Sequence, residues 1–204
     1  MSTHATHLEH RDDEGSKIGM WLFIFTEILL FGGLFIVYSV YRYINPLAFK
    51  LAAEELSVGI GTLNTGILLI SSMTVAMSIT AIQKGNTRRT IFLLEMSMLL
   101  GLIFLINKYF EWSGKFGHGI YPGSESLREL GQGEVLFFGL YFFMTGLHAV
   151  HIIVGLILLG VMLSKVQKGT INSGYNIQLE NSGLYWHLVD LIWIYLFPLF
   201  YLIS

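Results

Sequence analysis

The sequence predicts an all-α integral membrane protein: a five-transmembrane-helix bundle with its N-terminus inside and its C-terminus outside. Three observations predict it. Of 204 residues, 53% are hydrophobic and only 13% are charged, about half the charge of an ordinary soluble domain. The mean hydropathy is +0.62. The apolar residues also gather into long uncharged runs, and no Asp, Glu, Lys or Arg interrupts the chain between Glu134 and Lys165. Crossing the hydrocarbon takes roughly 20 apolar residues as a helix. Barrel strands would be much shorter and would alternate.

A polar arm over residues 1–17, "MSTHATHLEHRDDEGSK", comes first. It lacks the basic start, apolar centre and small-residue cleavage site of a secretory signal. Its His4, His7 and His10 read as solvated tail residues. A single membrane domain over residues 18–204 follows. Its spans cover about 18–41, 57–81, 90–110, 135–163 and 185–203. The second span is threaded with Gly66, Ser71, Ser72, Thr74, Ala76, Ser78 and Thr80. Small side chains let membrane helices approach closely. The fourth span is the longest and is expected to tilt. The longest connection contains "HGIYPGSESL", rich in turn formers.

Five spans place the termini on opposite sides. The arm and the even loops carry Arg11, Lys17, Lys84, Arg88, Arg89, Lys165 and Lys168, and the odd loops carry Arg42, Lys50, Lys115 and Arg128. The positive-inside rule then favours an inner N-terminus, with "QKGNTRR" as the strongest single marker. A net charge of −2 gives no footprint for nucleic acid. The absence of cysteine excludes disulfides, thiolate metal sites and cysteine nucleophiles.

Ionisable residues inside spans are candidates for function. Glu27 lies in the first span, about nine residues or roughly 13 Å from its inner end. His148 and His151 sit three apart in the fourth, and His151 falls at a depth comparable to Glu27. Glu95 lies near the inner end of the third. His187 and Asp190, three apart, open the fifth and are expected near the inner boundary, beside Tyr185, Trp186 and Trp193 as interface or packing aromatics. The residues allow three readings: a Glu–His clasp between helices, a proton-handling carboxyl at Glu27, and a metal or haem site. A di-iron bundle needs Glu-x-x-His on two helices, and no Glu precedes either histidine pair at that spacing. No catalytic residue and no metal ligand is assigned.

Three stretches together carry a family resemblance. "GMWLFIFTEILLFGGLF", "YFFMTGLHAVHIIVGLI" and "LYWHLVDLIWIYLFPLFYL" resemble subunit III of the haem-copper terminal oxidases. Leu63-Asn64-Thr65 fits as well, and Tyr109 and Glu111 fall where the family has an acidic, tyrosine-rich stretch. The resemblance covers nearly everything from Lys17 onward, most closely the five-helix bacterial cytochrome c oxidase form. It implies a non-redox subunit that packs mainly on subunit I, beside subunit II and other respiratory-complex subunits, in a bacterial inner membrane. Haem and copper would sit in those partners, with no cofactor in this chain beyond a bound phospholipid. It places the carbodiimide-reactive, proton-uptake carboxyl at Glu27. His148, His151, His187, Asp190 and Glu95 are then expected as buried polar helix contacts.

Longer relatives have two further spans that form one arm of a lipid cleft, and these are not visible here. Lys108 stands where many relatives have an acidic or amide residue, and the pattern does not account for Glu95. The expected function is support of subunit I and of proton uptake in a proton-pumping cytochrome c oxidase. The alternatives are subunit III of a quinol-oxidising haem-copper oxidase and, further off, a stand-alone proton-coupled transporter, against which no internal repeat or broken-helix pair is visible.

Overall fold

A computed structural model of the protein describes residues 13–117, 119–121, 123–124, 127 and 131–202. The tail histidines and Arg11, and Arg128 of the long loop, lie outside the described residues. The elements are α1 (Asp13–Ile44), α2 (Pro46–Glu54), α3 (Val58–Gln83), α4 (Thr87–Gly117), α5 (Gln132–Gln167) and α6 (Ile177–Phe197), the last running on into a π-helical turn, Pro198–Leu202. Five of these helices, all but α2, are long and apolar enough to cross a membrane.

Two differences from the sequence reading matter for the sites. The helices outrun the apolar runs, because polar first turns are helical as well. Asp13 to Lys17 belong to α1. The polar stretch "IQLENSGL" opens α6 eight residues before the expected start at Tyr185. His187 and Asp190 therefore lie ten and thirteen residues into their helix, roughly 15–20 Å from its start at 1.5 Å per residue. They lie in the middle of the helix, not at its start. The short α2, read from sequence as loop, starts with Pro46 in the first turn, where its missing N–H costs nothing. It buries Phe49, Ala52 and Ala53, and it crosses the start of α5 where Gly133 leaves room: a Cβ there would lie 2.5 Å from that of Ala48.

The helix α6 is the centre of the bundle. Of its most apolar window, 61% is buried, against 11% for α1. It touches α1, α3 and α5. Its Trp186 fills a slot between α4 and α5 that only glycine leaves open. A Cβ at Gly101 would lie 2.8 Å from the indole, and one at Gly155 would lie 2.7 Å from it. The indole N–H donates to Ser71 Oγ at 3.1 Å.

The α3–α4 hairpin is tied by the small polar residues of its inner face. Ser71 Oγ donates to the Ser97 carbonyl at 3.0 Å, Thr74 and Ser97 share a 2.7 Å hydroxyl contact, and Thr90 Oγ1 donates to the Ser78 carbonyl at 3.3 Å. Such groups would be costly against lipid, and between helices they satisfy one another. Ala76 and Thr80 of the same stretch face outward. The turn closes through Gly85 at φ 76°, a left-handed conformation that suits glycine, and Asn86 Oδ1 accepts the Arg89 N–H at 3.1 Å as the cap of α4.

Candidate functional site

The first ionisable site joins α1, α5 and α6. The helix α1 presents only a narrow inward stripe, and its buried residues Ile24, Phe31 and Tyr38 recur every seven positions. Glu27 lies beside that stripe. Its Oε2 is 2.9 Å from His151 Nε2, with the two side chains 14% and 13% exposed. The other ring nitrogen, His151 Nδ1, is 2.8 Å from the Leu147 carbonyl one turn back. A carbonyl can only accept, so Nδ1 carries a proton and donates. One further proton must then lie in the Glu27–His151 contact. Either the carboxyl donates to a neutral imidazole, or the imidazolium donates to a carboxylate. Phe31 meets the imidazole edge-on at 5.3 Å, and Tyr185 of α6 donates from its hydroxyl to the His151 carbonyl at 3.1 Å. The pair is thus packed on one side and close to the outer surface on the other.

His148, expected as a polar helix contact, does not join this pair. A separation of three residues turns the two side chains by about 60° around a helix. That is enough to send His148 into the core between α4 and α6. It is fully buried, stacked on Trp193 at 5.3 Å and edge-on to Phe104 at 5.6 Å. Neither of its ring nitrogens has a hydrogen-bond partner among the described residues.

A second polar cluster, which the sequence reading missed, is buried where α4, α5 and the π-helical turn meet. Lys108 is 3% exposed, and its Nζ donates at 3.0 Å to each of Glu111 Oε2, the Tyr141 hydroxyl and the Tyr201 hydroxyl. The two tyrosines in turn donate to Glu111 Oε1 at 2.7 and 2.5 Å. The ammonium lies 4.9–5.9 Å from the ring centroids of Tyr141, Trp193, Tyr201 and Trp112. A buried cation is tolerated when its donors are satisfied and aromatic faces surround it. The sequence signal was present, since Lys108 and Glu111 sit i, i+3 at the end of an apolar helix, where they can pair. The tyrosines come from positions 33 and 93 residues further on, and no local pattern links them. Lys115 reaches back from the same helix to the Glu55 carbonyl at 3.2 Å.

The remaining candidates separate. Ser72 Oγ of α3 is 2.6 Å from His187 Nδ1 of α6. Asp190 is 6% exposed, and its Oδ1 is without a partner among the described residues. Glu95, expected as a buried contact, is exposed on the outward side of α4. It sits two residues before Ser97, which faces α3, and two residues rotate a helix by about 200°. Among the described residues, no three His, Asp or Glu side chains converge as a metal ion would need.

The profile of the cytochrome c oxidase subunit III family matches residues 2–204. The chain belongs to that family. Subunit III relatives in the same size range match it from end to end. A probable quinol oxidase subunit 3 of Staphylococcus haemolyticus is 28% identical over 206 residues, covering 100% of this chain and 98% of the relative. Its counterpart in Staphylococcus aureus is 26% identical with the same coverage. A heme-copper oxidase subunit I+III of Aeropyrum pernix is 28% identical over 97% of this chain, and the match takes up 24% of that longer protein. This subunit III is therefore a multi-pass membrane protein of a haem-copper terminal oxidase complex, which makes subunit I its implied partner, and the family is one without redox centres of its own.

Proposed function

We propose that this chain is subunit III of a quinol-oxidising haem-copper oxidase in a bacterial inner membrane, where it braces subunit I and holds a proton-exchanging pair beside the core. One observation carries the choice of donor: the relatives that match along their whole length are named as quinol oxidase subunits. This weighs against the cytochrome c oxidase form that the sequence resemblance pointed to. Oxygen reduction, with its haem and copper, belongs to the partner subunits in this reading. The Aeropyrum pernix protein, with subunits I and III in one chain, supports subunit I as the main contact.

The orientation proposed is N-terminus inside, from the excess of lysine and arginine on the arm and even loops. Glu27 and His151 then stand between the inner surface and the middle of the bilayer. The pair holds one proton that can sit on either partner. That proton can pass between the carboxylate and the imidazole while Nδ1 stays fixed on Leu147; giving it to a third group leaves two acceptors facing one another, so release parts the pair. Such a shared proton is what a proton-supplying carboxyl needs.

Purification of the complex through a tag on this chain tests the reading. The expected preparation carries haem and copper, oxidises quinol and does not oxidise reduced cytochrome c. A preparation that turns over on cytochrome c would restore the other donor. A preparation without any haem subunit would overturn the assignment.

A further inference from the structure

The α3–α4 hairpin carries a groove that the ionisable sites do not use. It holds about 470 Å³ and is lined along α3 by Met73, Ala76, Met77 and Thr80, and at the turn into α4 by Lys84 and Arg89. Its two ends differ in chemistry. Lys84 and Arg89 lie where two membrane-length helices end, and both are exposed. No carboxylate lines the groove, and neither cation has a hydrogen-bond or ion-pair partner for its side chain among the described residues. At the other end the wall is apolar, with Met73 55% and Met77 39% exposed. Met73 stands eleven residues before Lys84, about 16 Å deeper along the helix. Ala76 and Thr80 between them are small and exposed, which keeps the wall recessed.

A groove that is cationic at the end of a span and apolar toward its middle complements one kind of molecule. An inorganic anion would use the cations and leave the apolar wall bare. A neutral chain would cover the wall and leave two cations without counter-charge. A phospholipid of the adjoining leaflet with an anionic headgroup satisfies both, because its phosphate falls at the hydrocarbon boundary and its chains run inward. A guanidinium can grip phosphate oxygens in pairs, and an ammonium adds a point charge. Methionine side chains are flexible enough to follow an acyl chain. Basic pockets at the ends of membrane helices suit anionic headgroups on these grounds.

We infer that the groove from Met73 to Arg89 seats one anionic phospholipid, with its phosphate on Lys84 and Arg89 and an acyl chain along Ala76 and Met73. The lining comes from α3, the turn and the start of α4 alone, so the seat does not depend on the two further spans of longer relatives. It requires a chain that crosses a membrane and no particular electron donor.

The complex purified through a tag on this chain, reconstituted in phosphatidylcholine vesicles with a phosphatidylglycerol that carries a photoreactive group in its acyl chain, tests the site. Illumination is expected to attach the probe within residues 73–81. Excess unlabelled phosphatidylglycerol should suppress the adduct, and added phosphatidylcholine or inorganic phosphate should not. Lys84→Gln combined with Arg89→Gln should lower the adduct about thirtyfold, the weight of two basic residues at an anionic headgroup. Both side chains are exposed and unpaired among the described residues, so the fold stays intact. Lys17→Gln combined with Lys168→Gln removes the same charge from other exposed positions and should leave the adduct unchanged. Ala76→Trp fills the groove and should abolish the adduct with both cations in place. Suppression by inorganic phosphate alone would mark a free-anion site and overturn the inference. Equal suppression by phosphatidylcholine, an adduct untouched by the paired Gln variants or by Ala76→Trp, or no adduct within residues 73–81 would overturn it as well. A preparation without any haem subunit would overturn the functional reading and leave the lipid result standing.

Discussion

The Glu27–His151 pair and the Lys108–Glu111 cluster are built from similar chemistry and solve opposite problems. Each sets a carboxyl against a nitrogen base inside a membrane bundle. Around Lys108 the base has three oxygen partners and Glu111 accepts from two tyrosines and the lysine, so all the groups are engaged and closed off by aromatic rings. Around Glu27 the carboxyl has only His151 as a hydrogen-bond partner among the described residues, and the pair is 13–14% exposed. The difference teaches how one bundle separates structure from exchange. A fully satisfied network is fixed by many donors at once and resists change. A two-membered pair at an edge can move its single proton and keep its geometry.

The largest effect should come from opening the closed cluster. Glu111→Ala strands a buried ammonium, which costs about 3–5 kcal/mol when a buried pair loses one partner. Thermal unfolding of the purified complex, or the yield of assembled chain, should fall accordingly. Lys108→Met combined with Glu111→Leu should recover most of that loss, since well-packed apolar pairs often replace buried ion pairs at little net cost. A double variant no better than Glu111→Ala would show that the tyrosines, and not the charge, hold the site.

A smaller effect is expected from His151→Leu, which leaves Glu27 without its partner at a cost of about 1–3 kcal/mol. Loosening of α1 should follow, read as faster proteolysis or deuterium exchange over residues 20–34. Glu27→Gln should cost less still, because an amide N–H can donate to His151 Nε2 and keep the clasp. It removes the movable proton, however, so assembly should persist while turnover at alkaline pH slows or working life shortens. Unchanged turnover and lifetime at alkaline pH would remove Glu27 from proton delivery. Smallest of all is His148→Phe. Its ring nitrogens make no hydrogen bond among the described residues, so a ring of similar size should cost under about 1.5 kcal/mol. A large loss there would mean that His148 has a polar partner in the assembled oxidase.

How much could be read beforehand follows from where each signal lies along the chain. The five spans are legible because hydrophobic length is a local property. Glu27 and His151 could be placed at similar depth because both sit in long helices whose approximate ends are visible. The start of α6 was not legible, since Gln178, Glu180 and Asn181 look like loop. The buried Asn181 amide, which donates to Ser16 Oγ of α1 at 2.9 Å, shows why polar residues belong in that turn. That one misplaced end also put His187 and Asp190 at the start of their helix and not in its middle. The roles of Tyr141 and Tyr201 could not be read, because a tyrosine in an apolar run gives no sign of the lysine it will meet.

By itself the sequence determined that this is a membrane bundle of five long helices, which residues would be expensive in lipid, and which family they belong to. Hydrophobic length, charge placement and motif order are written along the chain and need no neighbours. Only the tertiary structure decided which expensive residues find one another. The side on which a helical residue emerges turns by 100° per position, so neighbours in sequence part company. His151 meets Glu27 while His148 meets Trp193. Lys108 is enclosed, whereas Glu95 on the same helix is left facing outward.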